Sequence, residues 1–339
     1  MKACVYHGPH DMSIEEVAEP QGDDNGIIVR VKACGICGSD LHYYHSGGQF
    51  LKPGSIMGHE FSGDVVAVGR NVKGIAPGQR VTAASCLACG RCARCKAGQP
   101  AFCGQLQMVG FGIPGAYAEY VAIPDAALGS TVFVVPDEMS YETAALMEPF
   151  SVGVNAAQRA GLQPGDTVVI FGAGVIGLSA LMALKAMGCG KLIVSDLSHL
   201  RLEAARRAGA DVVIDAGVED VPRRIQDETG GMGADIAVEC TGVRRPFLQA
   251  MRVLRFDGAL VQVGVFSAAF EFNPVTITDK SLRIIGCMGG DCAASMDLLR
   301  TGAVDAKNLV THTFPLDRIV EAFDVQSDAQ RSIKVMVQP

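Results

Sequence analysis

The 339-residue chain has no tryptophan, and aromatic residues make up only 6% of it. No apolar run reaches the length that spans a bilayer, and the opening Met1-Lys2-Ala3-Cys4-Val5-Tyr6 does not read as a signal peptide. A soluble, cytoplasmic protein is the expectation. No stretch concentrates lysine and arginine, and the net charge is −7. Nucleic acid and anionic membranes both need a basic face, so neither is expected as a partner. Internal repeats and low-complexity linkers are also missing. What the chain does have is 49% hydrophobic residues, 40 glycines and 12 cysteines. Such a composition buries a sizeable core and fits glycine-rich α/β turns better than disorder. The length accommodates two domains. In a cytosolic chain, clustered cysteines point to metal ligation before disulfides.

Along the chain, residues 1–150 read as strands and loops. Ile27–Val31 and Asp64–Val68 are β-rich runs bounded by Gly and Asp, and Pro77-Gly78 and the glycines at 110–115 punctuate turns. An irregular, largely antiparallel β domain is expected. The pattern changes near Ser151. Thr167–Phe171 is a short apolar run, followed by a glycine turn and a helical stretch through Met187. Lys191–Asp196, Asp211–Asp215, Asp235–Glu239 and Ala259–Val263 continue the strands, with a helix-like Leu200–Ala208 between the first two of these. Apolar strands alternating with helices predict a parallel sheet covered on both faces, over residues 151–286. After it come a helix at Ala293–Thr301 and a closing strand at Ile333–Val337.

Gly172-Ala173-Gly174-Val175-Ile176-Gly177 follows a predicted strand and opens a helix. In that context Gly172 makes the tight turn and Gly174 lets a pyrophosphate approach the backbone. Gly177 lets helix and strand pack closely. The phosphates would sit at the positive end of the helix. Asp196 ends the next strand, where a carboxylate accepts from both ribose hydroxyls and repels a 2′-phosphate. NAD is therefore favoured over NADP. Arg201 lies nearby and would pack against the adenine.

The most specific pattern is Cys89-x2-Cys92-x2-Cys95-x7-Cys103. Four thiolates this close in sequence can close a tetrahedron around zinc and leave no open position, which makes the site structural. Cys86 just upstream reads as a spare. A nucleic-acid zinc ribbon is the rival reading, opposed by the acidic balance. A second set is dispersed: Cys37, His59 with Glu60, and Glu148. Cys, His and carboxylate ligands with one position left for water or substrate define a catalytic zinc, although sequence alone cannot bring these residues together.

In order along the chain, Cys37-Gly38-Ser39-Asp40-Leu41-His42-Tyr43, Gly58-His59-Glu60, the four-cysteine lobe, Glu148-Pro149 and Gly172–Gly177 resemble the zinc-containing medium-chain alcohol dehydrogenases. The resemblance covers essentially the whole chain and is greatest to the sorbitol, butanediol and threonine dehydrogenase branch. It implies an α/β protein of two domains. A GroES-like catalytic domain would be formed by residues 1–150 with the return segment 287–339, and a Rossmann NAD-binding domain at 151–286 would be inserted between them. It also implies two zinc ions per subunit. The catalytic one would be held by Cys37, His59 and either Glu60 or Glu148. Val263-Gly264-Val265 joins the glycine turn as cofactor-binding. Similar enzymes are often tetramers or dimers, so a homo-oligomer is expected.

The implied reaction moves a hydride between a small secondary alcohol and NAD, giving a ketone. Ser39, two residues past a metal ligand, would take the proton from the substrate hydroxyl and pass it by way of the nicotinamide ribose to His42 and solvent. Tyr43 and Tyr117 match positions that line the substrate pocket, or are plain packing. Lys334 is placed at the pyrophosphate. Sorbitol dehydrogenases carry an Arg-Tyr pair in the segment matching Ile285–Gly290, where this chain has Met288 instead. Methionine cannot hydrogen-bond polyol hydroxyls, so a long sugar alcohol is placed in doubt. Smaller diols, hydroxy acids, amino alcohols and a polyol read in a different way all stay open. Two other functions compete: a zinc-free quinone or enone reductase of the same superfamily, which would lack Cys37, His59 and the cysteine lobe, and a non-catalytic NAD-binding protein, which would have no use for Ser39 and His42.

Overall fold

A computed structural model describes residues 1–339. Its first large sheet has seven strands. In spatial order they are Val132–Val134, Arg80–Ala83, Glu60–Val68, Ile27–Gly35, Lys334–Gln338 and Val310–Pro315, with Tyr120–Ile123 also pairing on Ile27–Gly35. The pairings are antiparallel except for Val310–Pro315 on Lys334–Gln338, which run parallel. Val, Ile and Ala dominate the buried positions of Ile27–Gly35 because a half-buried pleated surface favours β-branched side chains.

The register of this sheet brings three distant segments together. Gly35 pairs with Glu60 on one side and with Met336 on the other. Cys37 follows two residues beyond Gly35, and Lys334 opens the third strand. A short helix, Gly38–Ser46, then turns away, capped by the Asp40 carboxylate accepting from the Cys37 backbone N–H at 3.0 Å. Such caps typically stabilise a helix by about 1 kcal/mol.

The second large sheet has six parallel strands in the spatial order Val212–Asp215, Lys191–Asp196, Thr167–Phe171, Ala234–Glu239, Leu254–Gln262 and Arg283–Gly286. Thr167–Phe171 and its neighbours are buried runs of Val, Ile and Leu, as expected for strands covered on both faces. The strand order reverses between Thr167–Phe171 and Ala234–Glu239. The crevice at the carboxyl ends of these two strands is where such sheets bind nucleotides.

One hydrophobic cluster fills the seven-stranded sheet, joining Val29, Val31 and Phe61 to Phe323, Val335 and Val337. Another runs from Phe150 and Val154 through the helix Val175–Ala186 to Met296, Leu299 and Met336. The segment after Gly286 therefore packs into both cores, and its helix Cys292–Arg300 lies with the second.

Candidate active site

Three side chains of the dispersed set are delivered at strand ends: Cys37 just after Ile27–Gly35, and His59 with Glu60 at the start of Glu60–Val68. Sulfur of Cys37, a ring nitrogen of His59 and a carboxylate oxygen of Glu60 lie within 4.8 Å of one another. His59 and Glu60 are buried, at 4% and 1% exposure, and Cys37 is half-buried. Lys334 is buried too. Its ammonium donates to both Glu60 oxygens, at 2.6 and 2.9 Å, and to the Ile36 carbonyl at 2.8 Å. Lys334 is thus the counter-ion of Glu60 inside the sheet, not a group free to meet a pyrophosphate. Burying both charges is tolerable only because each is paired and hydrogen-bonded.

Glu148 approaches from the helix Met147–Arg159 and accepts a short hydrogen bond from the Ser85 hydroxyl. Burial pushes its carboxyl up, against the pull of His59. It lies outside the three-residue cluster, so of the two glutamates the structure groups Glu60 with Cys37 and His59. On the far side of the ring, His59 Nδ1 faces Asp40 Oδ1 at 3.6 Å, and neither atom has a hydrogen-bond partner. Burial by itself would lower the imidazolium pKa of His59. Asp40, Cys37 and Glu148 outweigh it and carry the pKa well above the ordinary value.

The chemistry of the donor set fits a divalent cation. A thiol, an imidazole and a carboxylate converge, and Asp40 and Glu148 add two more acids against the single ammonium of Lys334. Open sites of this composition suit zinc.

The four-cysteine set also converges, with all four sulfurs within 4.8 Å. Backbone N–H groups of Cys89 and Gln105 point at the Cys103 sulfur, at 3.4 and 3.3 Å. Hydrogen bonds, led by one from the Cys95 backbone, bring the Cys92 thiol down to about 6. N–H groups aimed at sulfur stabilise thiolates, the form that binds metal. Cys86 stands apart on the short strand Cys86–Leu87.

At the other sheet, the glycine turn is built for close approach. Gly172 has φ +95°, and a Cβ on Gly177 would overlap the Gly172 carbonyl oxygen. Gly174 faces open space apart from the Arg201 guanidinium, 3.8 Å from where its Cβ would be. Arg201 also donates to the Ser332 carbonyl at 3.1 Å, so it bridges the turn and the return segment. Asp196 accepts from the backbone N–H groups of Ala173 and Ser198, at 2.6 and 2.8 Å. Val175 and Ile176 are half-buried in the first helical turn. Gly264 is packed so tightly on the Gly242 backbone that a side chain cannot fit, and Val265 beside it is exposed.

Residues 23–137 match the alcohol dehydrogenase GroES-like domain, and residues 175–301 match the zinc-binding dehydrogenase domain. The chain belongs to the zinc-containing medium-chain alcohol dehydrogenase family. Sorbitol dehydrogenase of Bacillus subtilis (strain 168) is 38% identical, covering 100% of this chain and 97% of its own length. The crystal structure of 2R,3R-butanediol dehydrogenase from Bacillus subtilis superposes with a TM-score of 0.89 at 33% identity, covering 100% and 99% of the two chains. A structure from Sinorhizobium meliloti 1021, bound to NADP, superposes with a TM-score of 0.91 at 31% identity, covering 100% and 99%. The sorbitol and butanediol dehydrogenases are the branch to which this dehydrogenase is related.

The remaining expected residues separate in the dehydrogenase structure. Ser39 is half-buried and His42 exposed in the helix that starts after Cys37. The Tyr43 ring lies 5.0 Å from Phe111, and Phe111 lies 5.3 Å from the His59 ring, which places Tyr43 beside the cluster. Tyr117 does not line a pocket. It is fully buried, because its hydroxyl is drawn inward to Asp40. Met288 is 71% exposed, and its carbonyl accepts from the Asn155 side chain. Sequence reasoning missed Phe111, Ser85 and Glu239. Glu239 is fully buried and accepts from Thr241, Gly242 and Gln262, tying the two loops at the carboxyl end of the parallel sheet. Its position at the end of a predicted strand was the available signal.

Proposed function

We propose that the chain oxidises a small secondary alcohol, a diol or short polyol, to a ketone with NAD and two zinc ions per subunit. The observation that carries this is the convergence of Cys37, His59 and Glu60, whose ligand atoms all lie within 4.8 Å of one another. These three residues would hold the catalytic zinc, with Glu148 near enough to exchange with Glu60. Cys89, Cys92, Cys95 and Cys103 would hold a structural zinc. Bound zinc supplies Lewis acidity that lowers the pKa of a hydroxyl, and the nicotinamide supplies the hydride acceptor.

The rest is done by the chain itself. Ser39 would take the hydroxyl proton, and His42, exposed at the helix surface, would release it to solvent. Gly172, Gly174 and Gly177, with the helix behind them, would seat the pyrophosphate, with Val175 and Ile176 in the same turn. Val263, Gly264 and Val265 would border the nicotinamide. Asp196 would select NAD through the ribose hydroxyls. Arg201 supports the phosphate turn rather than the adenine, since it reaches Gly174 and Ser332. Tyr43 and Met288 would border the substrate. Met288 offers no hydrogen bond to a distant hydroxyl, which favours a short diol over a hexitol.

The catalytic unit is assigned to residues 1–150 with 287–339, and the nucleotide unit to 151–286. The free edge strand Arg283–Gly286, with Ile284 42% exposed, supports a homo-oligomer. Twelve free cysteines support a reducing, cytoplasmic setting, and no helix is long and apolar enough to cross a membrane.

The test is metal content per subunit by mass spectrometry, paired with NAD reduction against diols, polyols, hydroxy acids and threonine. Two zincs with turnover of short diols is the expected result. One zinc and no turnover would overturn the reading.

A further inference from the structure

We propose that Tyr117 is a positioning residue for the three-residue metal cluster, acting through Asp40. The inference rests on the reading of Cys37, His59 and Glu60 as zinc ligands. Tyr117 sits in the segment before the strand Tyr120–Ile123, far in sequence from Cys37, His59 and Glu60, and none of its surface is exposed. A buried phenol must find a partner. The Tyr117 hydroxyl donates to Asp40 Oδ2 at 2.7 Å. The Gly35 carbonyl, at 3.2 Å, is the longer and neutral alternative. The carboxylate wins the proton because charge-assisted bonds are the stronger ones.

Asp40 Oδ2 is the same oxygen that accepts from the Cys37 backbone N–H at 3.0 Å. With Oδ2 held by two donors, the carboxylate plane is fixed, and Oδ1 is left unpartnered and aimed at His59 Nδ1, 3.6 Å away. One carboxylate thus spans the backbone of the Cys37 ligand and the ring of the His59 ligand, and the phenol decides how it is turned.

The rest of Tyr117 grips the other ligand segment. Its backbone N–H donates to the Met57 carbonyl at 3.0 Å, and that of Ala116 donates to the Gly58 carbonyl at 2.8 Å. Its ring lies so close to Gly58, at φ +92°, that a Cβ there would be 2.7 Å from Tyr117 Cδ1. Phe323 backs the ring edge-on at 5.8 Å. Tyr117 therefore touches both segments that deliver ligands. Only the hydroxyl reaches Asp40, so losing the hydroxyl while keeping the ring isolates the positioning role.

The four-cysteine site in the same chain serves as an internal control. Full-length, zinc-loaded Tyr117→Phe is compared with the parent chain for zinc release to a chromophoric chelator, and cobalt-substituted samples are compared by visible absorption. Outer partners of metal ligands typically change affinity by roughly 10–100-fold. The release from the open cluster should therefore quicken by about 10-fold, with the four-cysteine release unchanged and the cobalt band shifted. Asp40→Asn should quicken the same release at least as much, and adding Tyr117→Phe to it should change little further. Release at the parental rate, equal quickening of both zincs, or an undiminished effect of Tyr117→Phe in the Asp40→Asn background would overturn the proposal. A parent chain that binds only the four-cysteine zinc would instead remove the metal-site reading, and this proposal with it. Should Tyr117→Phe not fold, 3-fluorotyrosine at position 117 keeps the ring and alters the hydroxyl's donor strength. The open-cluster release must then change while the four-cysteine release does not, and an unchanged release overturns the proposal.

Discussion

A methyl group on Gly177 would collide with the Gly172 carbonyl at the entry of the phosphate turn. Gly177→Ala should therefore displace the helix from the strand, costing about 1–3 kcal/mol and weakening NADH binding. Thermal melting and fluorescence titration check both, and unchanged NADH affinity would show that the turn does not seat the cofactor. Asp196 carries two duties, since its oxygens also accept from Ala173 and Ser198. Asp196→Ser should erode the preference for NAD over NADP by an order of magnitude or more. The ratio of kcat/KM for the two cofactors measures it, and an unaltered ratio would remove Asp196 from the ribose. At this scale, residues whose type dictates a role were legible: glycines in a turn and cysteines at ligand spacing. Tyr117 and Lys334 were not. A tyrosine can face water or a core, and a lysine can meet a phosphate or a buried glutamate. Only the fold shows that Asp40 and Glu60 claim them.

The lobe carrying the four cysteines has almost no core of its own. Its helix Ala93–Lys96 and the turn Pro100–Phe102 bury no residue, and the strands on either side are two residues long. Stripping the metal should loosen this element alone, so that the backbone at the already exposed Arg91, Arg94 and Lys96 becomes cleavable by trypsin. Mass mapping of the cleavage sites after chelation tests this, and continued resistance would argue against a metal-held lobe. A second element prediction concerns acid. Glu228, near the end of the helix Val221–Glu228, accepts from Lys191 at 2.6 Å and pairs with Arg224 at 2.9 Å. The hydrogen bond from Lys191, with the charges of Lys191 and Arg224, holds its carboxyl below the ordinary value. A depressed carboxyl stabilises the fold above the unfolded pKa and loses that contribution as pH falls through the folded one. Glu228→Gln should therefore cost up to about 1 kcal/mol near neutrality, and the gap to the parent's melting curve should shrink as pH falls below the ordinary glutamate value of about 4.3. A constant gap across that range would refute the link.

Strand and helix positions were readable because apolar runs and glycine turns punctuate them, and most ends fell within a residue or two of the pattern. Three strands overrun the pattern: Ile27–Gly35 continues four residues past Val31, Glu60–Val68 begins four before Asp64, and Leu254–Gln262 begins five before Ala259. Asp257 there adopts φ +61° in an Arg255-Phe256-Asp257 stretch whose one apolar residue, Phe256, is exposed.

Across the whole molecule, the return of the chain to its first sheet is what sequence could suggest only by resemblance. No local pattern says that Lys334–Gln338 will lie between Ile27–Gly35 and Val310–Pro315. Pairing over such a distance leaves no trace in periodicity. The sheet predicts its own test. Deleting Lys334–Gln338 would bare the backbone of residues 34–36 and remove the counter-ion of Glu60, so the variant should be largely insoluble or lose hydrogen-exchange protection in residues 34–36. The six-stranded sheet should keep its protection wherever soluble protein is recovered. Intact protection at 34–36 would show that the last strand is dispensable.

The contact between Ile36 and Lys334 closes a loop of 298 residues. A ribosome adding roughly 5–20 residues per second needs about 15–60 s to cover that interval. During that time the strand leading into Cys37 has left the exit tunnel with one of its neighbours still unmade, whereas every strand of the parallel sheet has already met its own. The nascent chain thus matures out of order, its middle before its beginning. Glu60 gains its buried counter-ion only when Lys334 has been made, near the end of synthesis.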